Sequence, residues 1–131
     1  MKIGEAAAAS GVSERMIRHY EKIGLVSAAP RRDSGYRDYG DRDVHTLQFV
    51  ARARDLGFSL EEIGKLLALW NDRARASSEV KVLALAKAAD LKRKESELRE
   101  MRRSLEDLAA RCHGDDRPEC PILGGLEGVA T

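Results

Sequence analysis

Residues 3–24, IGEAAAASGVSERMIRHYEKIG, decide the fold of this chain of 131 residues. The alanine-rich segment 3–9 predicts a short helix, which Gly11 interrupts. Ser13 is a favourable N-cap for a second helix over residues 14–23, because its side-chain oxygen can accept from an amide of the first turn. Two short helices joined by a tight turn that contains glycine form the helix-turn-helix pattern.

The second of these helices has one apolar face and one basic face. Three side chains are placed to face inward: Met16, Ile17 and Tyr20. Four are left on the outer side, where a recognition helix meets DNA: Arg15, Arg18, His19 and Lys22. The segment 15–37 carries six Arg or Lys residues against two acidic ones, whereas the whole chain has a net charge of only +1. A local basic patch on a near-neutral chain indicates phosphate contacts of limited extent.

A turn flanked by arginines and tyrosines follows the two helices. The sequence RRDSGYRDY over residues 31–39 contains Asp-Ser-Gly, a combination typical of turns. It predicts a small two-stranded wing, which would lay Tyr36 and Arg37 on a phosphate strand beside the second helix.

Two further helices complete a predicted DNA-binding domain over residues 1–70. The first of them is predicted over residues 43–56. The second begins after Ser59, which together with Glu62 has the spacing of a capping box. The polar residues 71–78 predict a connector.

The longest predicted element is a helix over residues 79–110. Leucines recur at intervals of seven, and further apolar residues follow two of them by three positions: Leu91, Leu98, Leu105, Met101 and Leu108. This pattern predicts a coiled-coil seam. Roughly 32 helical residues span about 48 Å, and nothing else in so small a chain covers a stripe of that length. A second copy is the economical partner, so we predict a homodimer through this dimerisation helix; packing within one chain is the alternative.

The only two cysteines, Cys112 and Cys120, stand at the two ends of a short, acidic, turn-rich loop with seven residues between them. A loop of this length can bring both sulfurs to a common point. Two thiolates with no other soft donor suit a closed-shell monovalent metal such as Cu(I). The residues 111–131 are therefore interpreted as a metal-binding loop and tail, the alternative being two free thiols without a ligand.

These features together resemble the MerR family of transcription regulators over the whole chain. The segments IRHYE (17–21) and SGYRDY (34–39) are similar to the family's DNA-binding motif, and CHGDDRPECPI (112–122) is similar to the tail of its copper-responsive branch, the CueR and HmrR regulators. The resemblance implies a mainly all-α fold. It consists of a winged helix-turn-helix domain, a long antiparallel coiled-coil dimerisation helix and a short C-terminal metal-binding loop.

The resemblance also implies a mechanism. A dimer binds a palindromic promoter operator, and its metal-bound form distorts the DNA so that RNA polymerase can engage both promoter elements. The residues expected at the DNA are Arg15, Arg18, His19, Tyr20, Tyr36, Arg37 and Arg54.

The choice of metal depends on the number of donors. Zn(II) prefers four ligands. Divalent-metal sensors of this family place a third cysteine at the start of the long helix, where Ser77 stands in this chain. We therefore expect Cu(I), with Ag(I) and Au(I) as chemical look-alikes, and a role for Ser77 in selectivity. A divalent-metal sensor that uses His113 or acidic residues, and a thiol redox switch that joins Cys112 to Cys120, stay open as alternatives.

Other classes of protein find little support in the sequence. No nucleophile–base pair, glycine-rich phosphate loop or two-histidine metal motif indicates an enzyme. No run of apolar residues reaches the length of a membrane span, and the first residues lack a signal-peptide core. We therefore expect a cytoplasmic protein with reduced thiols and no contact with a membrane.

Overall fold

The computed structural model describes residues 1–128, in which helices account for all the regular secondary structure. The helices are α1 (Ile3–Ser10), α2 (Glu14–Lys22), α3 (Asp41–Asp55), α4 (Leu60–Asn71), α5 (Ser77–Arg111) and α6 (Pro121–Leu126). The mainly helical fold predicted from the sequence is confirmed. The last residues of the predicted tail, 129–131, lie outside the described part. The chain forms two compact units that divide between Ala84 and Leu85, within α5.

The turn between α1 and α2 is built as its sequence predicts. Gly11 ends α1 with a φ of 78°, a left-handed conformation that favours glycine, and its amide donates to the Ala7 carbonyl oxygen at 3.0 Å. Ser13 caps α2, where its Oγ accepts from the Met16 amide at 3.2 Å. These two caps fix where one helix ends and the next begins, and thereby orient α2.

The core of the first unit lies between α1, α2, α3 and α4. Its largest fully buried side chains are Ile17, Val50 and Ile63, one each from α2, α3 and α4. Full burial of such an aliphatic side chain contributes about 1.5–3 kcal/mol. The inward face of α2 is therefore anchored at Ile17, which leaves the opposite face of this helix at the surface.

The first turns of α3 and α4 are stabilised by hydrogen bonds between side chains and backbone amides. In α4 the predicted capping box forms, with the Glu62 amide donating to Ser59 Oγ at 3.2 Å and the Ser59 amide donating to Glu62 Oε1 at 2.8 Å. In α3 the Gly40 amide donates to Asp43 Oδ2 at 2.8 Å. Asp43 thus lies within the first turn, and α3 begins two residues earlier than predicted.

The predicted two-stranded wing is reduced to a tight hairpin with one β-bridge, between Arg31 and Arg37. The Gly35 amide closes the turn on the Arg32 carbonyl oxygen at 2.8 Å. The Asp38 amide donates to the Pro30 carbonyl oxygen at 2.8 Å. Proline has no N–H to return the second bond of that pair, so the ladder cannot continue upstream and no strand forms.

The second unit consists of the greater part of α5 and the C-terminal loop with α6. Ion pairs between residues four apart follow the polar face of α5, among them Arg102–Glu106 at 2.7 Å and Arg111–Asp107 at 2.9 Å. Four of the five apolar residues of the predicted seam are exposed in the single chain: Leu91, Leu98, Met101 and Leu105. The fifth, Leu108, is half-buried and lies against Gly125 of α6. No helix among the described residues is both long enough and apolar enough to cross a membrane.

Helix α6 was not predicted. Two glycines, Gly124 and Gly125, stand in its six residues, and glycine weakens a helical pattern. Pro121 at its first position was the available indication, because proline is favoured there. Gly125 allows a close approach, since a Cβ at this position would lie 3.0 Å from Leu108 Cδ2 of α5.

Candidate nucleic-acid interface and metal centre

A basic groove lies between α2 and the wing hairpin. This cavity of about 460 Å³ is lined in part by four cationic side chains and one aromatic ring: Lys2, Arg18, Lys22, Arg31 and Tyr36. Cationic side chains on two adjoining elements are the arrangement that tracks a phosphate backbone. The groove therefore joins the exposed face of α2 to the wing in one positively charged surface.

The outer face of α2 presents the basic side chains that the sequence predicts. Arg15, Arg18 and His19 are all exposed. Arg18 forms an ion pair with Glu14, with its Nη2 3.7 Å from Glu14 Oε2. An exposed pair of that length is weak. The guanidinium can exchange this contact for a phosphate or a base edge.

Lys2 belongs to the groove although the sequence did not single it out. Its Nζ lies 5.0 Å from the centroid of the Tyr36 ring, the distance of a cation–π contact. Tyr36 is itself exposed on the wing. A lone lysine near the start of a chain carries no motif, and only the fold brings it beside the wing.

Tyr20 faces inward, as the apolar face of α2 predicts, and not toward DNA, as the resemblance implies. Its side chain is 3% exposed, and its hydroxyl accepts a hydrogen bond from Arg54 Nη1 at 2.9 Å. The expected DNA contact of Tyr20 is therefore revised, because the ring packs into the core of the first unit. The exposed Arg54 is held against α2 by this bond.

Arg37 is also turned inward. Its Nη1 donates to the Ala29 carbonyl oxygen at 2.9 Å, and its Nε lies 3.4 Å from Glu21 Oε2. The other carboxylate oxygen of Glu21 accepts from the Tyr39 hydroxyl. Burial, followed by the hydrogen bond and charge of Glu21, raises the pKa of Tyr39 far above its ordinary value. Two wing residues thus converge on one carboxylate of α2.

The two cysteines of the second unit are brought together by the return of the chain from α5 to α6. Cys112 follows the last residue of α5, and its amide donates to the Ala109 carbonyl oxygen at 3.1 Å. Cys120 is the N-cap residue of α6. Both are free and half-buried.

The Cys120 thiol lies at the amino end of α6. The pKa of this thiol is lowered chiefly by the backbone amide of Leu123, and further by the amide of Ile122 and the side chain of Cys112. Desolvation has the opposite effect and raises it. These amides interact with the sulfur through their partial positive charges, but none of them forms a capping hydrogen bond with it. An interaction with the Cys112 side chain is the smallest of these causes, which indicates that the two thiols lie near each other.

The interior of the loop is held by a charged pair. Arg117 donates from Nε to Asp115 Oδ2 at 2.8 Å, and its backbone amide donates to Asp115 Oδ1 at 2.9 Å. This partnership keeps the pKa of Asp115 below its ordinary value. Within residues 1–128, His, Cys, Asp and Glu side chains nowhere gather in a set of three or more that could hold a metal ion. The donors that the loop offers together are the two thiols.

His113 and Ser77 are two further residues that the sequence suggests for the metal site. His113 is exposed beside Cys112. Ser77 is the exposed first residue of α5 and belongs to the first unit.

The sequence matches two known protein families. Residues 1–69 match the MerR HTH family regulatory protein, and residues 44–108 match the family described as MerR, DNA binding. The chain is 63% identical to heavy metal-dependent transcription regulator 2 of Rhizobium meliloti (strain 1021), over 94% of this chain and 84% of that protein. It is 61% identical, with the same coverage, to the HTH-type transcriptional regulator HmrR of Sinorhizobium medicae (strain WSM419).

A solved structure extends the likeness to three dimensions. The transcription regulator PbrR691 of Ralstonia metallidurans CH34, in complex with lead(II), has a TM-score of 0.81 at 32% identity, covering 96% of this chain and 98% of that one. The family predicted from the DNA-binding motif is confirmed. The chain belongs to the MerR family of helix-turn-helix transcription regulators.

Proposed function

We propose that this protein is a metal-responsive regulator that binds a palindromic promoter operator as a homodimer and takes Cu(I) as its effector. The observation that carries the proposal is a pair of neighbouring thiols, Cys112 and Cys120, with no third donor side chain grouped with them in the described residues. Two thiolates fit a soft monovalent ion, and Ag(I) and Au(I) share that chemistry. The heavy-metal dependence in the name of one relative supports the class of effector.

The DNA-binding surface in this proposal is the basic groove with the outer face of α2. Arg15, Arg18 and His19 enter the major groove, and Tyr36 with Lys2 meets the flanking phosphates. Arg54 reaches the backbone from α3, held in place by Tyr20. Arg37 lines the same groove, where its guanidinium is already engaged with Glu21 and Ala29.

The homodimer would form along α5 as an antiparallel coiled coil. The exposed seam supports this arrangement, because four large apolar side chains on one face of the helix would otherwise remain in water: Leu91, Leu98, Met101 and Leu105. A dimer places two recognition helices on the two halves of a palindrome.

Activation in this proposal comes from a change in DNA shape. The metal-loaded dimer stabilises a bent and untwisted promoter that RNA polymerase can engage, and the metal-free dimer stabilises the unproductive shape. Such coupling requires that the effector bind the two protein states with different affinity. We place the regulator in the reducing cytoplasm, where both thiols stay free.

Ser77 contributes to selectivity in the same proposal. A serine hydroxyl is a poor ligand for a soft ion, so this position gives a divalent ion no third soft donor. The lead(II) complex of PbrR691 keeps a divalent-metal sensor as the second candidate. The neighbouring thiols also favour a redox sensor, in which two thiols lose two electrons and two protons to peroxide and form the Cys112–Cys120 disulfide.

An anaerobic titration of the intact protein with Cu(I) against a competing chelator, beside Zn(II), tests the proposal. We expect one tightly bound Cu(I) per chain and Zn(II) binding weaker by at least about a hundredfold. Zn(II) binding of equal strength would transfer the proposal to divalent metals. A response of operator binding to peroxide without metal would transfer it to thiol oxidation.

The replacement His113→Ala tests whether the loop histidine is a third ligand. Because His113 is exposed and outside any donor group, we expect Cu(I) affinity to stay within about twofold of the wild type. A loss of about tenfold or more, or about 1.4 kcal/mol, would mean that the ligand set includes the imidazole. The same chelator competition measures both proteins.

A further inference from the structure

We infer that Glu21 is a positioning residue for DNA binding, which acts through Tyr39 and Arg37 to hold the wing at a fixed distance from the recognition helix. We call these three residues the wing bracket. The inference rests on the proposed use of the basic groove as a phosphate-binding surface. In this role the negatively charged Glu21 supports binding of the anionic DNA backbone, whereas its charge alone would oppose that binding.

The geometry of Glu21 is that of a shared, nearly enclosed carboxylate. It lies on the recognition helix α2, and its side chain is 8% exposed. Its Oε1 accepts from the Tyr39 hydroxyl, and its Oε2 lies 3.4 Å from Arg37 Nε. Both carboxylate oxygens of one helix residue are therefore bound to the segment that leaves the wing.

The bracket reaches the other arm of the wing as well. Arg37 Nη1 donates to the Ala29 carbonyl oxygen at 2.9 Å, on the segment that enters the wing. The two arms are thus held to α2 through a single guanidinium. The wing has one β-bridge of its own. Met1 also holds the exit of the wing, since its ammonium group donates to Asp38 Oδ1 at 2.9 Å and its carbonyl oxygen accepts from the Tyr39 amide at 2.8 Å. The bracket adds the connection to α2.

The consequence for DNA follows from the walls of the basic groove. Arg18 and Lys22 form one wall on α2, and Arg31 and Tyr36 form the other on the wing. Phosphate contacts set the register of a protein on the duplex. If the bracket opens, the recognition helix can still enter the major groove, but the wing no longer meets its phosphates at a fixed spacing.

The replacement Glu21→Gln distinguishes the positioning role of Glu21 from the effect of its negative charge on DNA affinity. It makes the protein more positive by one unit, which by electrostatics alone strengthens binding to DNA. The bracket predicts the opposite, because glutamine cannot pair with Arg37 as an ion and leaves a half-buried guanidinium without its counter-charge. Glu14→Gln is the matched control, since it makes the same change in charge on the exposed face of the same helix.

The experiment uses the full-length protein and a duplex that the wild type has selected from a random-sequence pool. Fluorescence anisotropy measures the dissociation constant, hydroxyl-radical cleavage maps the protected backbone, and guanine methylation maps the major groove. For Glu21→Gln we expect binding to weaken by at least about fivefold, and for Glu14→Gln to stay within about twofold or tighten. We expect backbone protection to fade at the flanking positions while major-groove protection remains at saturating protein.

Tyr39→Phe gives a second, milder variant that removes one hydroxyl and keeps the ring in the core. It should lose flanking protection in the same selective manner, with an unchanged helical circular dichroism spectrum. If Glu21→Gln does not fold, Tyr39→Phe decides alone. Unchanged affinity with an intact footprint, or an equal loss of flanking and major-groove protection in a folded variant, would overturn the inference. A wild type that selects no duplex would overturn the proposed DNA surface itself, and the bracket with it.

Discussion

Replacement of Cys112 by serine is expected to abolish tight Cu(I) binding, with a loss of affinity of at least about a thousandfold, or about 4 kcal/mol. The two thiols are the only donors that the loop brings together in the described residues, so one substitution leaves a single soft ligand. A serine hydroxyl stays protonated at neutral pH and is a hard donor, which a soft monovalent ion does not favour. Cys120→Ser should have the same effect. Anaerobic competition with a chelator measures both.

The control for this prediction is His113→Ala, a change in the same loop that removes a donor-type side chain outside the thiol pair. The cysteines belong to the second unit, whereas the proposed DNA-binding surface is built from residues of the first. Both serine variants should therefore bind a selected operator duplex within about threefold of the metal-free wild type. Tight Cu(I) binding that survives in either serine variant would contradict the two-thiolate site. Loss of operator binding would instead mean that the substitutions damage the fold.

The parts of the fold that were predicted from sequence are those fixed by local chemistry. Ser13 and the pair Ser59 and Glu62 form the caps that their spacing indicates, because a cap needs only the first turn of its own helix. Gly11 ends α1 for an equally local reason. Such interactions involve residues within four positions of one another, so no knowledge of the tertiary structure is needed to predict them.

The revisions concern residues whose partners are distant in sequence. Tyr20 was expected at the DNA, but its hydroxyl binds Arg54, 34 positions away. Lys2 joins the groove only because the fold brings it to Tyr36. A pattern along the chain shows that a side chain is basic or aromatic. It does not show which side chain from a distant part of the sequence will contact it.

The metal loop shows the same division. The spacing of Cys112 and Cys120 predicts that the loop can bring both sulfurs to a common point. The position of Cys120 at the start of a helix was not predicted, because Gly124 and Gly125 obscure α6. Gly125 instead permits close contact with Leu108, an interaction that no helix propensity describes.

Replacement of Leu98 by glutamate is expected to raise the dissociation constant of the dimer at least about a hundredfold, or about 3 kcal/mol. Leu98 lies near the middle of the exposed seam and is 62% exposed in the single chain. Glutamate on a helix surface costs the monomer little. In an antiparallel dimer the same charge would be buried against apolar side chains of the second copy, where an unpaired charge is strongly unfavourable. Sedimentation over a range of protein concentrations measures the shift from dimer to monomer.

Ser96→Glu is the matched control, since it places the same side chain on the same helix about 200° around its axis, away from the seam. This variant should remain a dimer. The monomeric Leu98→Glu protein should keep its helical content but lose operator affinity, because a single recognition helix reaches only one half-site. If Leu98→Glu stays dimeric at micromolar concentration, the seam is not the interface. Equal dissociation of both variants would mean that added charge, and not the apolar stripe, governs assembly.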